Sequence, residues 1–308
     1  MLGGAFLDVL LKSFEAGLIY AIMALGVYMT FRILDFPDLT VDGSFTTGAA
    51  IAAVSIVNGL PPIIGTILAF AGGCIAGALT GIMHTKGKIN PLLSGILMMI
   101  ALYSINLRIM GKSNISLLNQ DTLLTPLAGQ YTLAIIMLIF ILVIRLLLNL
   151  FLRTEVGLAL RATGDNPRMI RSFGVHTDHT IIIGVSLSNG LVALSGGLVA
   201  QYQGYADIQS GVGMIVIGLA SVIIGEAIFG HKTIARTTMA VILGAVLYRI
   251  IIAIALQLEL NATDLKLLTA GIVIIALILP MTERSLRERS ISRKRADELL
   301  RKGGHLDA

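Results

Sequence analysis

The chain has 308 residues, of which 56% are hydrophobic and only 13% are charged, and its mean hydropathy is +0.88. Ordinary soluble domains carry about 25% charged residues, so this composition excludes them and predicts a polytopic helical membrane protein. The single cysteine, Cys74, excludes an internal disulfide and a cysteine-based metal cluster.

Apolar runs mark the membrane segments along the chain, since about 20 such residues span a hydrocarbon core of about 30 Å. The first residues, Met1–Asp8, lack the basic region of a signal peptide and are interpreted as the lead-in to the first helix. The runs that follow are Ala16–Phe31, Gly43–Met83 divided by the turn Asn58–Pro62, Ile89–Leu107, Thr122–Ile144, Thr180–Ala206, Ile208–Gly225, Thr237–Leu258 and Leu267–Thr282. The predicted fold class is all-α with about 8–10 membrane segments, some of them broken or re-entrant.

Basic residues indicate which loops face the cytoplasm, because Lys and Arg concentrate in short cytoplasmic loops. Here they cluster between Arg145 and Asp178 and again near the C-terminus. We therefore expect a membrane domain at 1–283 with a cytoplasmic loop at 152–178, followed by a basic cytoplasmic tail at 284–308. The positive charge then requires no nucleic-acid partner.

The second apolar run, Gly43–Val57, decides on which side of the membrane the N-terminus lies. If this run crosses fully, nine spans place the N-terminus outside, and if it is re-entrant the N-terminus is inside. The run is short and glycine-rich, and it follows Phe36-Pro37-Asp38, which interrupts a helix. The sequence therefore favours a re-entrant segment.

Residues 16–57 and 180–225 share a rhythm of helix, polar break and glycine-rich helix. Broken helices at corresponding positions of two halves indicate a transport site near the bilayer midplane, although glycine-rich helices can also be alike by chance. Asp35 and its neighbouring carboxylates in the first break are either functional intramembrane acids or ordinary helix caps. Arg249 interrupts a later apolar run; it is expected to pair with Glu259 or an acid of another helix, or to snorkel outward.

Two patterns that could suggest catalysis are incomplete. Gly225–Thr233 approaches a phosphate-binding loop, but His231 intervenes before the lysine that must reach the phosphates. His176 and His179 can share a helix face, yet the sequence offers no third metal ligand nearby. We therefore expect a protein that is not an enzyme and that binds no metal or cofactor itself.

Gly73, Gly77 and Gly81 lie on one face of the third segment. Small residues at this spacing let helix backbones approach closely. We expect this face to pack inside the monomer, with a subunit interface as the alternative.

The stretch Glu155–Val175 is too short and too polar to cross a membrane. Glu155–Thr163 predicts a short helix that ends at Gly164, and Asp165 or Asn166 is expected to cap a second one. Two short helices with exposed apolar and basic faces are typical of a surface that docks into a partner. A solvated loop is the alternative.

This stretch resembles the cytoplasmic coupling loop of ABC-importer permeases of the branched-chain amino acid and ribose type. The pattern of that family is Gly-x-x-x-Arg-Ala, a short variable segment and a closing Gly before an aliphatic residue, here Gly157, Arg161-Ala162 and Gly174-Val175. Gly17–Thr30 also matches the first helix of the family. Leu34–Phe45 departs from the branched-chain version and is similar to a bacterial branch of which some members are implied to import aromatic amino acids.

The resemblance implies a permease subunit of a binding-protein-dependent ABC importer for aromatic or branched-chain amino acids, in the bacterial inner membrane with a cytoplasmic C-terminus. It implies three kinds of partner: a second permease copy, a cytoplasmic ATPase dimer that holds the ATP and Mg, and an extracytoplasmic substrate-binding protein. The ATPase-coupling residues are then Glu155, Gly157, Arg161, Ala162, Gly164, Asp165, Asn166, Arg168 and Gly174.

The substrate pathway is assigned to polar residues of the two breaks, namely Asp38, Thr40, Asp42, Ser44, Tyr202, Gln203, Asp207 and Gln209. An ion-coupled secondary transporter is the main alternative, since one of these buried carboxylates could couple an ion gradient. A channel or a membrane scaffold is a third possibility.

Overall fold

A computed structural model describes residues 2–127, 131–230 and 232–257, together with residues 267, 269–271, 274 and 278. A π-helical turn (Met29–Ile33) extends the first helix, a 3-10 turn (Thr125–Leu127) precedes the fifth, and strands β1 (Asn114–Ser116) and β2 (Tyr205–Asp207) pair antiparallel. The helices are α1 (Leu2–Tyr28), α2 (Thr40–Val57), α3 (Pro62–Thr85), α4 (Pro91–Met110), α5 (Thr132–Phe151), α6 (Glu155–Asp165), α7 (Pro167–Ser172), α8 (Thr177–Gln203), α9 (Met214–Phe229) and α10 (Ile234–Gln257).

Seven of the helices in the described part of the chain are long and apolar enough to cross a membrane, and α9 is a shorter apolar helix. The seven are α1 with its π-helical turn, α2, α3, α4, α5, α8 and α10. The all-α polytopic fold class is therefore confirmed. The predicted segment Leu267–Thr282 lies mostly outside the described residues, and the tail 284–308 lies entirely outside them.

Local sequence sets several helix ends. Pro62 and Pro91 occupy the first turns of α3 and α4, where a missing N–H removes no helical hydrogen bond. Gly111 follows α4 at φ 66° and Gly204 follows α8 at φ 78°. Glycine adopts this left-handed conformation without steric cost, so both helices end there.

The second helix is long and apolar enough to cross a membrane, whereas the sequence favoured a re-entrant segment. α2 is an unbroken helix of 18 residues that forms an antiparallel hairpin with α3 along its length. The hydroxyls of Thr40 and Thr80 lie 2.9 Å apart near one end of the hairpin, and Gly65 faces Ser55 near the other. The Phe36-Pro37-Asp38 interruption falls before α2, so it separates two helices and leaves α2 intact.

α1 is the central helix, and it runs antiparallel to α8. The hydroxyl of Ser195 donates to the carbonyl of Ile19 at 2.9 Å, and that of Ser188 donates to the carbonyl of Gly26 at 2.7 Å. Because α6 and α7 precede the start of α8, they lie at the opposite end of the bundle from the start of α1. We call these the elbow end, after the bend between α6 and α7, and the far end.

The glycine face of α3 packs on α8 within the described chain. A side chain at Gly73 would strike the backbone of Asn189, one at Gly77 would strike Val185, and one at Gly81 would come within 2.9 Å of the Cα of Ile182. The three glycines therefore allow the two helix backbones to approach each other closely.

The predicted segment Thr122–Ile144 begins ten residues too early, because α5 starts only at Thr132. The backbone N–H of Thr122 donates to Thr125 Oγ1 at 3.0 Å, and that of Leu123 donates to Gln201 Oε1 at 3.0 Å. Side chains thus satisfy backbone groups that a helix would otherwise use, so an apolar run without charges is not by itself a helix.

Candidate functional site

The start of α2, which follows the first predicted helix break, contacts the second break at the first turn of α9. The first break comprises residues 34–39 and leads into α2, and the second comprises residues 204–213 and leads into α9. The Asp42 carboxylate accepts the backbone N–H of Gly213 at 2.9 Å and that of Ile215 at 2.8 Å, and Thr46 Oγ1 accepts the N–H of Gly211 at 3.1 Å. Asp42 was expected to cap its own helix if it did not line the pathway, and the helix that it caps belongs to the other half of the chain.

This contact has an electrostatic reason. The first N–H groups of a helix have no partner within it, and α9 begins inside the bundle rather than in water. A carboxylate at that position satisfies two of these donors and also interacts favourably with the positive end of the helix dipole. Asp42 therefore fixes the position of α2 relative to the second break.

Asp38 belongs to a separate network of buried hydrogen bonds. It is 0% exposed, and its carboxylate accepts the Thr40 N–H at 2.9 Å and the Asn189 side-chain amide at 2.6 Å. Among the described residues no cationic side chain lies within ion-pair distance of it. The Oδ1 atom of Asn189 has no hydrogen-bond partner in this part of the chain. Asp38 thus ties the first break to the middle of α8.

Three cavities surround the second break and the start of α9. The polar cavity, of about 350 Å³, is lined by Tyr20, Phe45, Val199, Gln203, Tyr205, Asp207, Gln209, Ser210 and Met214. The lateral cavity, of about 460 Å³, is lined by Asp42, Gly43, Thr46, Met99, Ile100, Tyr103, Ser104, Asn106, Ile208 and Val212. The arginine cavity, of about 410 Å³, is lined by Val212, Gly213, Met214, Val216, Ile217, Tyr248, Arg249, Ile252, Thr269 and Ala270.

The predicted pathway residues do not form one site. Gln203, Asp207 and Gln209 line the polar cavity together, whereas Asp42 lines the lateral cavity. Tyr202 faces α1, where its hydroxyl lies 3.3 Å from a carboxylate oxygen of Glu15. Asp38, Thr40 and Ser44 are fully buried, and the Ser44 hydroxyl has no partner among the described residues.

Sequence reasoning missed the aromatic residues of this region. The rings of Tyr20 and Phe45 stack with centroids 6.0 Å apart, and the Arg249 guanidinium lies 3.5 Å from the centroid of the Tyr20 ring. The sequence pattern marks Arg249 only as a charge within an apolar run. Nothing in the local sequence of Tyr20 distinguishes it from an ordinary core residue, so only the packing of α1 against α10 reveals the pair.

At the elbow end, α6 and α7 form two short helices, which we call the elbow (Glu155–Ser172). Thr154 Oγ1 accepts the Gly157 N–H at 3.3 Å, and Asn166 Oδ1 accepts the Met169 N–H at 3.1 Å. These are ordinary side-chain caps of helix N-termini. The sequence left Asp165 and Asn166 as candidates for the cap of the second short helix, and in the structure Asn166 caps α7.

The inner face of the elbow packs on the bundle. Leu160 is buried against Gly184 of α8, and the hydroxyls of Thr163 and Thr180 lie 3.0 Å apart. A side chain at Gly164 would strike the carbonyl of Ile33, at the end of the π-helical turn. The sequence predicted that α6 ends at Gly164, but the helix continues to Asp165. The glycine instead allows the backbone of α6 to approach the first break.

The outer face of the elbow is apolar and exposed. Phe173, directly after α7, is 74% exposed, and Met169 and Leu158 are about half exposed. The predicted coupling residues on this face are Glu155, Asp165, Asn166, Arg168 and Gly174, all of them exposed. Such a cluster of exposed apolar side chains among charged ones is typical of a protein–protein contact.

Arg161 is not on the outer face. It is half-buried, as is Ala162. Arg32 and Glu226 form an ion pair of 3.1 Å between the end of α1 and α9.

The described residues contain no group of three or more His, Cys, Asp and Glu side chains that could hold a metal ion. The His176 and His179 rings lie 5.9 Å apart in an edge-to-face arrangement. His231, which interrupts the near-match to a phosphate-binding loop, lies outside the described residues.

Comparison with known proteins yields a family and several relatives. Residues 9–278 match the family described as branched-chain amino acid transport system / permease component. A tyrosine transport system permease protein of Clostridioides difficile (strain R20291) is 49% identical over 261 residues, which cover 85% of this chain and 87% of that protein. An uncharacterized protein of Rickettsia prowazekii (strain Madrid E) is 40% identical over 189 residues, 61% of this chain and 66% of the relative.

The fold is also similar to a solved structure. PsaBC from Streptococcus pneumoniae in complex with Fab superposes with a TM-score of 0.50 at 14% identity, covering 87% of this chain and 89% of that chain. At this identity the likeness concerns the fold alone.

Proposed function

We propose a function from one premise: the chain belongs to the family of permease components of branched-chain amino acid transport systems. It is a multi-pass membrane protein and a permease subunit of an amino acid importer. Beyond this, we propose that its substrates are aromatic amino acids, tyrosine first. The 49% identity to a tyrosine transport system permease supports that choice.

We further propose that ATP hydrolysis by a separate cytoplasmic subunit drives transport. A dimer of that ATPase, with its ATP and Mg, would bind the elbow of each of two permease copies, and an extracytoplasmic protein would deliver the substrate. The membrane is then the bacterial inner membrane, with the elbow and the C-terminus in the cytoplasm. The observation that carries this proposal is the elbow itself, whose outer face is unpartnered and apolar while its inner face packs on the first break.

The contacts within the chain suggest how motion would travel. A displacement of the elbow acts on Ile33, which Gly164 approaches closely, and so on the first break. Through Asp42 the start of α2 is hydrogen-bonded to the start of α9, where the cavities lie. Packed interfaces of this kind switch between discrete arrangements rather than deform continuously, which is what alternating access requires.

One observation favours a second candidate function, an ion-coupled secondary transporter. Asp38 is a fully buried carboxylate without a cationic partner among the described residues. Carboxylates in that setting serve as ion or proton sites in secondary transporters. The two functions differ in their energy source, which an uptake assay can separate.

The test is uptake of radiolabelled L-tyrosine by proteoliposomes that contain the permease, its ATPase and its binding protein. We expect uptake to require ATP inside the vesicles and to persist when ionophores abolish all ion gradients. Phe173→Ala should reduce uptake about tenfold, which corresponds to about 1.4 kcal/mol. The substitution removes the highly exposed apolar side chain that directly follows the elbow. Ile139→Ala, an equivalent truncation on exposed α5, is the control and should have no effect. Uptake that follows an ion gradient without ATP would instead support the second candidate.

A further inference from the structure

Arg249 is held inside the bundle by aromatic rings. Its guanidinium lies 3.5 Å from the centroid of the Tyr20 ring, and Tyr20 in turn stacks on Phe45 at 6.0 Å. A guanidinium on the face of a tyrosine ring is attracted by the ring quadrupole. The stack joins α10, α1 and α2, so the position of the charge is fixed by three helices.

Within the described residues, no carboxylate matches the charge of Arg249. Its Nε atom is buried and has no hydrogen-bond partner, and no carboxylate in the described part of the chain lies within ion-pair distance. Glu15, a buried carboxylate of α1, accepts a hydrogen bond from the hydroxyl of Tyr202. Glu259, the partner that the sequence offers, lies outside the described residues. Ionised side chains at membrane depth are costly and generally belong to functional sites.

A cavity adjoins this charge. Arg249 lines the arginine cavity, of about 410 Å³, whose other lining side chains are mainly apolar, among them Met214, Ile217 and Ile252. Met214 also lines the polar cavity, so the first turn of α9 separates the two spaces. Small-molecule sites have this character, with a predominantly apolar wall and a few polar groups that fix the orientation of the ligand.

We propose that Arg249 binds the α-carboxylate of the transported amino acid, with the substrate side chain against the apolar wall of the arginine cavity. An arginine fork pairs with a carboxylate through two parallel hydrogen bonds, and the unpartnered Nε supplies one of the donors. The ligand class is then an apolar or aromatic amino acid with a free carboxylate. This inference rests on the proposed function, since it names how that function recognises its substrate.

The test uses the purified permease with its ATPase and measures binding of radiolabelled L-tyrosine directly, without the binding protein. The competitors are tyramine, which lacks the carboxylate, and 3-(4-hydroxyphenyl)propanoate, which lacks the ammonium group. For the natural sequence we expect the propanoate to compete and tyramine to compete at least tenfold more weakly. Arg249→Gln should weaken tyrosine binding at least tenfold and remove the discrimination against tyramine, whereas Arg249→Lys should retain part of both.

Controls separate this role from a structural one. Arg108→Gln removes an exposed arginine of α4 and should leave binding unchanged. If Glu259→Gln reproduces the effects of Arg249→Gln, the arginine serves an internal ion pair and the proposal is wrong. If Arg249→Gln instead releases co-purified phosphatidylglycerol and leaves tyrosine binding intact, the guanidinium holds a lipid phosphate and the proposal is likewise overturned.

Absence of carboxylate-dependent binding to the natural sequence would also overturn it. That result leaves the importer function standing if ATP-driven uptake persists in the proteoliposome assay. The two proposals can therefore fail independently.

Discussion

The two helix breaks of this protein are built differently. The first, at 34–39, has half of its residues buried: Asp38 is hydrogen-bonded to α8, and the preceding turn lies under the elbow. The second, at 204–213, is more open: its side chains line cavities, and β2 within it pairs with β1 at the far end. The first break, next to the elbow where the ATPase is expected to bind, is thus packed firmly. The second break, beside the cavities, is held mainly by hydrogen bonds from α2.

Asp42 is the point where this difference has consequences. It lies on the helix that follows the first break, yet it caps the helix that follows the second. The helix after the first break therefore holds the more open second break through the Asp42 carboxylate and the Thr46 hydroxyl. Three substitutions test whether the two breaks have the distinct roles that this comparison suggests.

The largest effect is expected from Arg161→Glu, at the elbow side of the first break. The reversed charge would stand in a half-buried position on α6, where desolvation of an unpaired carboxylate is costly. We therefore expect uptake and substrate-stimulated ATP hydrolysis to fall below detection while the permease still inserts. Arg161→Lys should restore most of the activity. Unchanged ATPase co-purification and turnover in Arg161→Glu would contradict the assignment.

A smaller effect is expected from Gly164→Ala. The added methyl group would meet the carbonyl of Ile33 and push α6 away from the first break. We expect uptake to fall about tenfold, equivalent to about 1.4 kcal/mol, with tyrosine binding retained. Gly271→Ala, where a methyl group would meet nothing within 4 Å, is the matched control. Equal uptake by the two variants would show that the contact between Gly164 and Ile33 does not couple the elbow to the first break.

The smallest effect on uptake is expected from Asp42→Asn, at the start of α2, whose main consequence is for stability. The amide keeps one acceptor oxygen but loses the charge, so one of two N–H donors at the start of α9 is left unsatisfied. Hydrogen bonds to charged groups contribute about 1.5–3 kcal/mol, and we expect a lower midpoint of thermal unfolding in detergent. Asp35→Asn, in the same segment but exposed, should leave the midpoint unchanged. A similar shift in both variants would rule out a specific role for the cap.

Much of the architecture was predictable because lipid imposes simple requirements. Long apolar runs must be helices, since a bilayer offers no hydrogen-bond partner to a free backbone, and proline and glycine mark several of their ends. The elbow was also predictable, because Thr154, Asn166 and Pro167 act on neighbouring residues. The errors arose where a side chain replaced a helical hydrogen bond, as at Thr122 and Thr125, or where a break was attributed to the wrong helix.

The site was much less predictable. Gln203, Asp207 and Gln209 were found together because they are close in sequence, whereas Asp42, Tyr20 and Arg249 act on residues more than a hundred positions away or on a different helix. A charge in an apolar run indicates that a partner is needed, but it does not identify the partner. Pairing across helices has no local signal.

The amino-acid sequence alone determined that this is an all-helical membrane protein with an elbow of two short helices, because hydrophobicity and helix caps act over a few residues. Only the tertiary structure decided that α2 is a complete helix, that Arg161 is half-buried and that Asp42 holds α9. These depend on which helices become neighbours, and that choice is made by close packing of small residues such as Gly73 and Gly164 across the whole bundle.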